Sequence, residues 1–300
     1  MDKTDVVLIQ LLLVNSRLSY AELAEKLDLS VNAVHKRIQL LIETGVIRKF
    51  TAKLGTLASN PINVFIWGTS QLVSIQGLPE KLATQGSIYW LAVAGGKYLY
   101  IGAYLKSINE LANLVTYLKE EAGIPEPTVG ITAAPPPPPQ ASHKPLETSL
   151  CALDYKIIRS LKDNSRKPVS EIADELGVAA KTVRRRLSRM IKNWLIELSL
   201  EWYPDASNDI IALLELHLKT DADCNIAYNI IKKYSPNVLF YWSYANIPNT
   251  ATFAVWTSTM KGLQSIRETL EKEEGILSAT PNIIYVGYIF KTWRDQLPQK

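Results

Sequence analysis

The sequence predicts an α+β protein in which one unit occurs twice, and three observations carry that prediction. Residues 5–47 realign without a gap on 154–196, so that Asp5 meets Asp154, Asn15-Ser16-Arg17 meets Asn164-Ser165-Arg166, Glu22 and Ala24 meet Glu171 and Ala173, and Val34 and Arg37 meet Val183 and Arg186. Within each copy the apolar period changes partway from the three-and-four spacing of helices to the alternation of strands. Five consecutive prolines at 135–139 stand between the copies. A single duplication of long period argues for a repeated domain pair, because a solenoid needs several short stacked repeats. With 300 residues and 47% hydrophobic content, the chain has material for several cores.

The first copy opens with apolar residues at helical spacing over 6–13, 20–27 and 30–44, and the second repeats the pattern over 152–161, 169–176 and 180–193. Ser19 and Ser30 stand where N-caps are wanted, and Gly45 stands where the third helix should stop. Ala179 replaces the capping serine in the second copy, which costs about 1 kcal/mol unless another group meets the free amides. A β-rich stretch follows each third helix, 46–54 and 195–203, and is expected to make a wing and a strand leading away. The order then becomes strand, helix, strand, strand, helix, strand: 63–72, 79–84, 88–94, 98–105, 108–121 and 128–132 in the first copy, and 210–219, 225–233, 238–244, 250–257, 261–274 and 282–290 in the second. That order is the split βαβ, ferredoxin-like arrangement. The expected domains are therefore two winged helix-turn-helix domains at 1–54 and 150–203, each followed by a ferredoxin-like βαββαβ domain at 55–131 and 204–295.

Strand 283–290 and the segment Val64 to Trp67 are apolar on both faces, so a sheet with one face in water would expose a large patch. Two sheets packed face to face solve this, and their owners are either the halves of one chain or halves of two chains. The segment 132–149 cannot form a helix or a central strand, since proline lacks the amide donor; it is expected to be an extended polyproline spacer. A docking site for a proline-binding domain is the competing reading of the same run.

The net charge of +4 is unevenly placed. Residues 2–54 carry +2 and 151–203 carry +4, whereas 55–130 and 204–300 each carry −1. Basicity gathered in the helical segments is the electrostatic footprint of a module that meets phosphate. No run of 18 apolar residues occurs and the N-terminus is too charged for a secretory signal, so a cytoplasmic protein with no membrane association is expected. Cys151 and Cys224 lie far apart, lack metal-ligand spacing and do not correspond between the copies; they are expected to be packing residues with free thiols. Neither a metal nor a cofactor is expected, because no Ser/His/Asp cluster, phosphate-cradling glycine loop or metal spacing occurs.

In the third helix of the first copy Val34, Ile38, Leu41 and Ile42 share a face, leaving Asn32, His35, Lys36 and Gln39 on another. The second copy keeps the apolar set as Val183, Leu187, Met190 and Ile191, while its outer face becomes Lys181, Arg184, Arg185 and Arg189. A helix-turn-helix presents polar side chains of its second helix to base edges in the major groove, with neighbouring cations on phosphates. Asparagine pairs with adenine, and arginine or lysine with guanine, which makes Asn32, Lys36, Arg184 and Arg185 candidate readers of double-stranded DNA. Arg37 and Arg186 lie beside the apolar stripe, where a phosphate contact and a salt bridge to the domain body are both open. A solvated cationic face, or a helical module that binds protein, is the competing reading of the whole set.

The run Asp5, then Asn15 to Ser30, Val34, Arg37-Ile38 and Gly45-Val46-Ile47, resembles the opening of Lrp/AsnC (feast/famine) transcriptional regulators, and the following βαββαβ unit is similar to that family's regulatory domain. The resemblance covers nearly the whole chain twice, apart from the proline segment and the extreme C-terminus. It implies DNA binding through the helical domains, pairing of the regulatory domains into an αβ-sandwich, and an amino acid or similar small molecule as effector. Typical members carry one copy and form dimers, so two copies imply a pseudo-dimer within one chain or a homodimer through the regulatory domains. Gly95-Gly96 stands near the family's glycine-bearing effector segment, although a tight hairpin explains it equally. The second copy has Asn246-Ile247-Pro248-Asn249 there, which departs from the glycine pattern.

Tyr89-Trp90 and Tyr241-Trp242 occupy matching strand positions, as sandwich core or as a pocket wall, and Trp67 and Trp256 belong to the same group. Some proteins similar to this family are siroheme decarboxylases, which makes an enzyme the alternative; an anionic tetrapyrrole would call for a cationic pocket and histidine. The three histidines, His35, His143 and His217, fall on a reading helix, in the spacer and on a strand, and do not form such a pocket by pattern.

Overall fold

The fold is described from a computed structural model, over residues 1–133, 149–223 and 225–297. The proline spacer, His143 and Cys224 lie outside the described residues. Two compact units are present. One draws on Met1–Val6, Ile62–Ala134 and Pro204–Lys291, the other on Val7–Pro61, Pro135–Tyr203 and Thr292–Lys300.

The helical unit takes α1 (Lys3–Val14) from Val7 onward, then α2 (Tyr20–Leu27), α3 (Val31–Glu43) and strand β1 (Ile47–Leu54), followed by a one-turn helix α4 (Thr56–Ser59). The two serines cap as the sequence requires. Ser19 closes a capping box with Glu22, and Ser30 Oγ accepts from the Ala33 amide at 3.1 Å. Gly45, at φ 75°, ends α3. The second copy supplies α7 (Ala152–Leu161), α8 (Val169–Leu176), α9 (Ala180–Lys192) and β6 (Ile196–Trp202). Here Ala179 leaves the first amides of α9 without a side-chain cap, and Trp194 takes the left-handed φ of 55° that Gly45 takes in the first copy.

The stretches expected to form a wing and a strand leading away are each one continuous strand, and they pair with one another. β1 and β6 form an antiparallel ribbon with Phe50 opposite Leu200, Ala52 opposite Leu198 and Leu54 opposite Ile196. Each copy thereby lends its strand to the other. Ala52 of the first copy is buried with Ile157, Ile158, Leu161, Ile172 and Val183 of the second.

In the sheet unit, β2 (Ile62–Thr69), α5 (Leu78–Ala83), β3 (Ile88–Ala94), β4 (Tyr98–Leu105), α6 (Leu111–Glu121) and β5 (Thr128–Ile131) make the first βαββαβ set. The second set is β7 (Ile210–Leu218), α10 (Ile226–Tyr234), β8 (Val238–Ser243), β9 (Thr250–Thr257), α11 (Met260–Leu270) and β10 (Ile276–Ile289). All eight strands belong to one sheet, ordered β5-β2-β4-β3-β10-β7-β9-β8. The question of ownership is thus answered within the chain. β10 is long enough to serve both sets, pairing with β7 through its first half and with β3 through its second. At the opposite edges, Thr132 bridges to Tyr244, the Ala133 amide donates to Ser243 O at 2.8 Å, and the Asn246 side chain reaches Val129 O and the Ile131 amide.

Each set buries one face against its own two helices. Val64, Ile66, Leu91, Leu99 and Ile101 meet Leu82, Leu114 and Leu118 in the first; Leu214, Leu216, Phe253 and Val255 meet Ile230, Leu263 and Leu270 in the second. On the other face Phe65 stacks on Trp90 and on Trp242 at ring separations of 5.9 and 4.8 Å, and Tyr244 lies 5.1 Å from Trp67. Trp90 and Trp242 therefore pack between the two sets, whereas Tyr89 stacks on Tyr104 and Tyr241 on Phe253 within their own sets. Among the described residues no helix is long and apolar enough to cross a membrane.

Candidate nucleic-acid interface

The helical unit places the residues singled out on α3 and α9 in two groups. Asn32, His35, Lys36 and Gln39 of α3 and Lys181, Arg184 and Arg185 of α9 are exposed. Val34, Ile38 and Leu41, like Val183, Leu187 and Met190, are buried beneath them. His35 is not wholly free to reach outward, because its ring meets Tyr20 edge to face at 5.1 Å, and the Arg166 guanidinium lies over the same tyrosine ring, 5.0 Å from its centre.

Arg186 and Arg189 are used differently. Asp154, at the start of α7, has no exposed side-chain surface, and a carboxylate taken out of water must be paired. Arg189 Nη2 donates to Asp154 Oδ2 at 2.7 Å, Arg186 Nη1 approaches Asp154 Oδ1 at 3.3 Å, and the Cys151 amide donates to Asp154 Oδ2 at 2.9 Å. The two guanidiniums are only 28% and 27% exposed and tie α9 to α7. Of the two readings left open for Arg186, the salt bridge is the one the geometry carries, and Arg189 moves from the outer face to the same role. Arg37 is half-buried and engaged. Cys151 is exposed, not packed, with Arg186 Nη1 at 2.9 Å from its sulfur.

The Asn-Ser-Arg sequence shared by both copies proves to be a mutual clasp. Ser16 and Ser165, both fully buried, share a hydrogen bond of 2.6 Å between their hydroxyls. Arg17 Nη1 donates to the carbonyls of Ser165 and Lys167 at 2.6 and 2.8 Å, and Arg166 Nη1 donates to those of Ser16 and Leu18 at 2.6 and 3.0 Å. Each guanidinium satisfies carbonyls in the turn that follows the other copy's first helix, where backbone acceptors lie outside any helix or strand. Burial, and then the facing Arg166, push the Arg17 guanidinium below its ordinary pKa. The repeat made these residues visible, but their role needs the two copies brought together.

A second tie comes from the C-terminal segment, which sequence reasoning passed over. Arg294 is fully buried; its Nη2 donates to Leu54 O and to Glu197 Oε2 at 2.9 Å, and its Nε donates to Ser59 Oγ at 3.1 Å. Lys162 Nζ donates to Asp295 O at 3.1 Å. A lone arginine in a short polar tail offers no pattern that marks it as core.

In the sheet unit, Gly95-Gly96 forms the turn from β3 to β4, with Gly96 at φ 66° and Lys97 at φ 58°. The turn is closed by the Ser70 amide donating to Lys97 O at 3.0 Å and by Lys97 Nζ donating to Leu72 O at 2.6 Å. Trp90 and Trp242, from different copies, meet 6.4 Å apart across Phe65. The four residues named for an effector are thus split between a hairpin turn and the aromatic packing. Tyr100 and Tyr244 are held far above the ordinary phenol pKa by burial and remain neutral hydrogen-bonding groups, Tyr244 donating to or accepting from Thr252 at 2.7 Å. Among the described residues no group of histidine, cysteine and carboxylate side chains could hold a metal.

Comparison with known proteins places this geometry. The winged helix-turn-helix DNA-binding family matches residues 1–48, and the AsnC-type helix-turn-helix domain matches residues 152–191. The HTH-type transcriptional regulator LysM of Sulfurisphaera tokodaii is 28% identical over 132 residues, 41% of this chain and 93% of LysM. An uncharacterized HTH-type transcriptional regulator of Pyrococcus horikoshii is 26% identical over 117 residues, 38% of this chain and 74% of the relative. The chain is similar in fold to the siroheme decarboxylase NirDL, with a TM-score of 0.57, 13% identity, and coverage of 97% of this chain and 93% of that one. At that identity the likeness concerns fold alone, whereas both helix-turn-helix matches rest on the residues that make the reading helices. Residues 1–48 thus match a winged helix-turn-helix DNA-binding domain and residues 152–191 an AsnC-type helix-turn-helix domain, and the curated relatives are HTH-type transcriptional regulators.

Proposed function

We propose that this protein is a DNA-binding transcriptional regulator that reads duplex DNA with α3 and α9 and works as a pseudo-dimer within one chain. Asn32, His35 and Lys36 of α3 and Lys181, Arg184 and Arg185 of α9 are the residues proposed to touch DNA. The observation that carries this is the exposure of polar and cationic side chains on the outer faces of both helices, while their inner faces are buried in one compact unit. Helices with that arrangement are suited to base edges and flanking phosphates. The proposal places the protein in the cytoplasm. Affinity for genomic fragments measured against salt tests it: each phosphate contact contributes about −0.9 to the slope of log K on log salt, and a flat response refutes DNA binding.

Modulation by an amino acid would act through the sheet unit, with Gly95, Gly96, Trp90 and Trp242 as the residues to probe. Titrating the common amino acids while following tryptophan fluorescence and DNA affinity tests this; no change in either with any of them refutes it.

The enzymatic alternative draws on one observation, the full-length likeness of fold to NirDL. What supports a non-enzymatic reading is that the inner faces of the two βαββαβ sets are filled by stacked rings, Phe65 with Trp90 and Trp242, and Trp67 with Tyr244. Mixing the protein with siroheme and recording the Soret band decides it. An unshifted band and unchanged pigment support the regulator, and a shifted band with loss of carboxyl groups from the pigment overturns it.

A further inference from the structure

The helical unit holds two reading helices that are alike beneath and unlike outside. Their buried positions correspond one to one, Val34 with Val183, Ile38 with Leu187 and Leu41 with Met190. Their exposed positions do not: Asn32 faces outward where the second copy has Lys181, His35 where it has Arg184, Lys36 where it has Arg185, and Gln39 where it has Ser188. The pairing of Arg186 and Arg189 with Asp154 removes both from the outer face and leaves Lys181, Arg184 and Arg185 exposed on the first half of α9. The edge-to-face contact of His35 with Tyr20 leaves the two amides, Asn32 and Gln39, with Lys36 on α3.

The spacing between these helices is built in. The β1–β6 ribbon crosses from one copy to the other, and the Ser16–Ser165 hydrogen bond with the reciprocal Arg17 and Arg166 donors locks together the turns that follow α1 and α7. Four guanidinium-to-carbonyl bonds between 2.6 and 3.0 Å make this join directional, because each arginine fits only the opposite copy's turn.

We propose that the protein recognises a non-palindromic duplex made of two unlike half-sites at one fixed spacing. An A·T-bearing half is read by Asn32 and Gln39 of α3, and a G-bearing half is gripped by Lys181, Arg184 and Arg185 of α9. Side-chain amides pair in bidentate fashion with adenine N6 and N7, and guanidiniums with guanine O6 and N7, so each face has one preferred base. The cationic half supplies most of the phosphate neutralisation and therefore most of the affinity. The amide half adds discrimination at little electrostatic gain. This inference rests on the DNA-binding reading above.

The test is selection from random duplexes with the full chain, followed by affinity against salt for the recovered site. The expected site has no two-fold symmetry, with adenines in one half and guanines in the other. Inserting about five base pairs between the halves, half a helical turn, should reduce affinity at least tenfold. Arg184→Ala with Arg185→Ala should erase the guanine preference and lower the salt slope by about 0.9 for each of the two that also meets a phosphate, whereas Asn32→Ala with Gln39→Ala should leave the slope unchanged and erase base preference in the adenine half alone. All four positions are exposed, and a thermal melt of each variant confirms folding. A recovered palindrome, or tolerance of the insertion, overturns the inference while leaving DNA binding intact. Failure to bind any duplex even at low salt overturns both.

Discussion

Replacing Arg294 by alanine gives the sharpest measure of how the C-terminal segment holds the helical unit together. The guanidinium is fully buried and serves three acceptors, Leu54 O, Glu197 Oε2 at 2.9 Å and Ser59 Oγ at 3.1 Å. Removing one partner of a buried ion pair costs about 3–5 kcal/mol, because the other is left charged and unpaired. Glu197 keeps Lys53 at 3.7 Å and 34% of its side chain meets solvent, so the lower end applies, about 3 kcal/mol for Arg294→Ala. That is about a hundredfold rise in the opened population. Amide hydrogen exchange at the β1–β6 ribbon reads it directly, with β2 to β5 of the sheet unit as internal control. Arg294→Met, which keeps most of the stem, should recover only the packing share of the loss. pH supplies a second axis. Burial raises the Glu197 carboxyl, but Lys53 and Arg294 outweigh it and hold the group below its ordinary value near 4.5. The stabilisation is therefore present in full above that value and fades as pH falls through the depressed folded-state pKa. The difference between wild type and Arg294→Ala should shrink over the same acid range. A loss below about 1 kcal/mol at neutral pH, the size of an ordinary surface ion pair, would refute the reasoning.

Other perturbations test the remaining ties. Arg17→Ala and Arg166→Ala each lose two charge-assisted bonds and should each cost about 2 kcal/mol in urea denaturation. Because the two meet across the Ser16–Ser165 bond, a double-mutant cycle should give a coupling above about 0.5 kcal/mol, and strict additivity would show that the turns are independent. Asp154→Asn leaves two guanidiniums facing a neutral amide and should destabilise the helical unit by about 2–4 kcal/mol, while low-salt affinity for nonspecific DNA holds or rises as Arg186 and Arg189 are released. A steeper salt slope in that variant would show the released arginines reaching phosphate, and an unchanged slope would show that they stay clear of it. Gly130→Ala would set a Cβ 2.3 Å from the Tyr244 ring and should cost about 1–3 kcal/mol, whereas Gly86→Ala, which meets nothing within 4 Å, should be silent.

The sequence carries local structure and repeat well, since caps, apolar period and turn glycines act within a few residues. Ser19, Ser30 and Gly45 do what their chemistry demands, and the strand–helix order gives the ferredoxin-like topology before any contact is known. Pairing across copies is another matter. The alternation of residues 46–54 says strand, but nothing in it names 195–203 as the partner, because an alternating strand fits any neighbour of suitable register. The split among the α9 arginines was half-visible. Asp154 sits at helical spacing from the buried Ile157, Ile158 and Leu161, and an acidic group on an apolar face demands a cation. That demand selects the side of α9 facing α7, which holds Arg186 and Arg189 and spares Arg184 and Arg185. Cys151 was misplaced for a related reason, since at the very start of α7 it precedes the apolar stripe and stands outside the core. Arg294 left no trace, because its partners lie in two segments far from it in sequence, Leu54 and Ser59 in one and Glu197 in the other.

Duplication within one chain explains why some matched positions are the same and others differ. In a symmetric homodimer every substitution appears on both sides of the axis, so a self-complementary join and a reading surface change together. In a fused pair they separate. The clasp needs a serine and an arginine from each side to face their own counterparts, and Ser16, Arg17, Ser165 and Arg166 satisfy that need. No such need acts on the outer faces of α3 and α9. A reversal of the divergence follows as a test. Asn32→Lys, His35→Arg and Lys36→Arg give α3 the exposed set of α9 without touching Val34, Ile38 or Leu41. Two positions gain a cation outright, so the salt slope should steepen by up to about 1.8, and the selected site should become two-fold symmetric with guanines in both halves. Retention of the original unlike halves by this variant would mean that specificity comes from DNA shape or from elements other than the two helices.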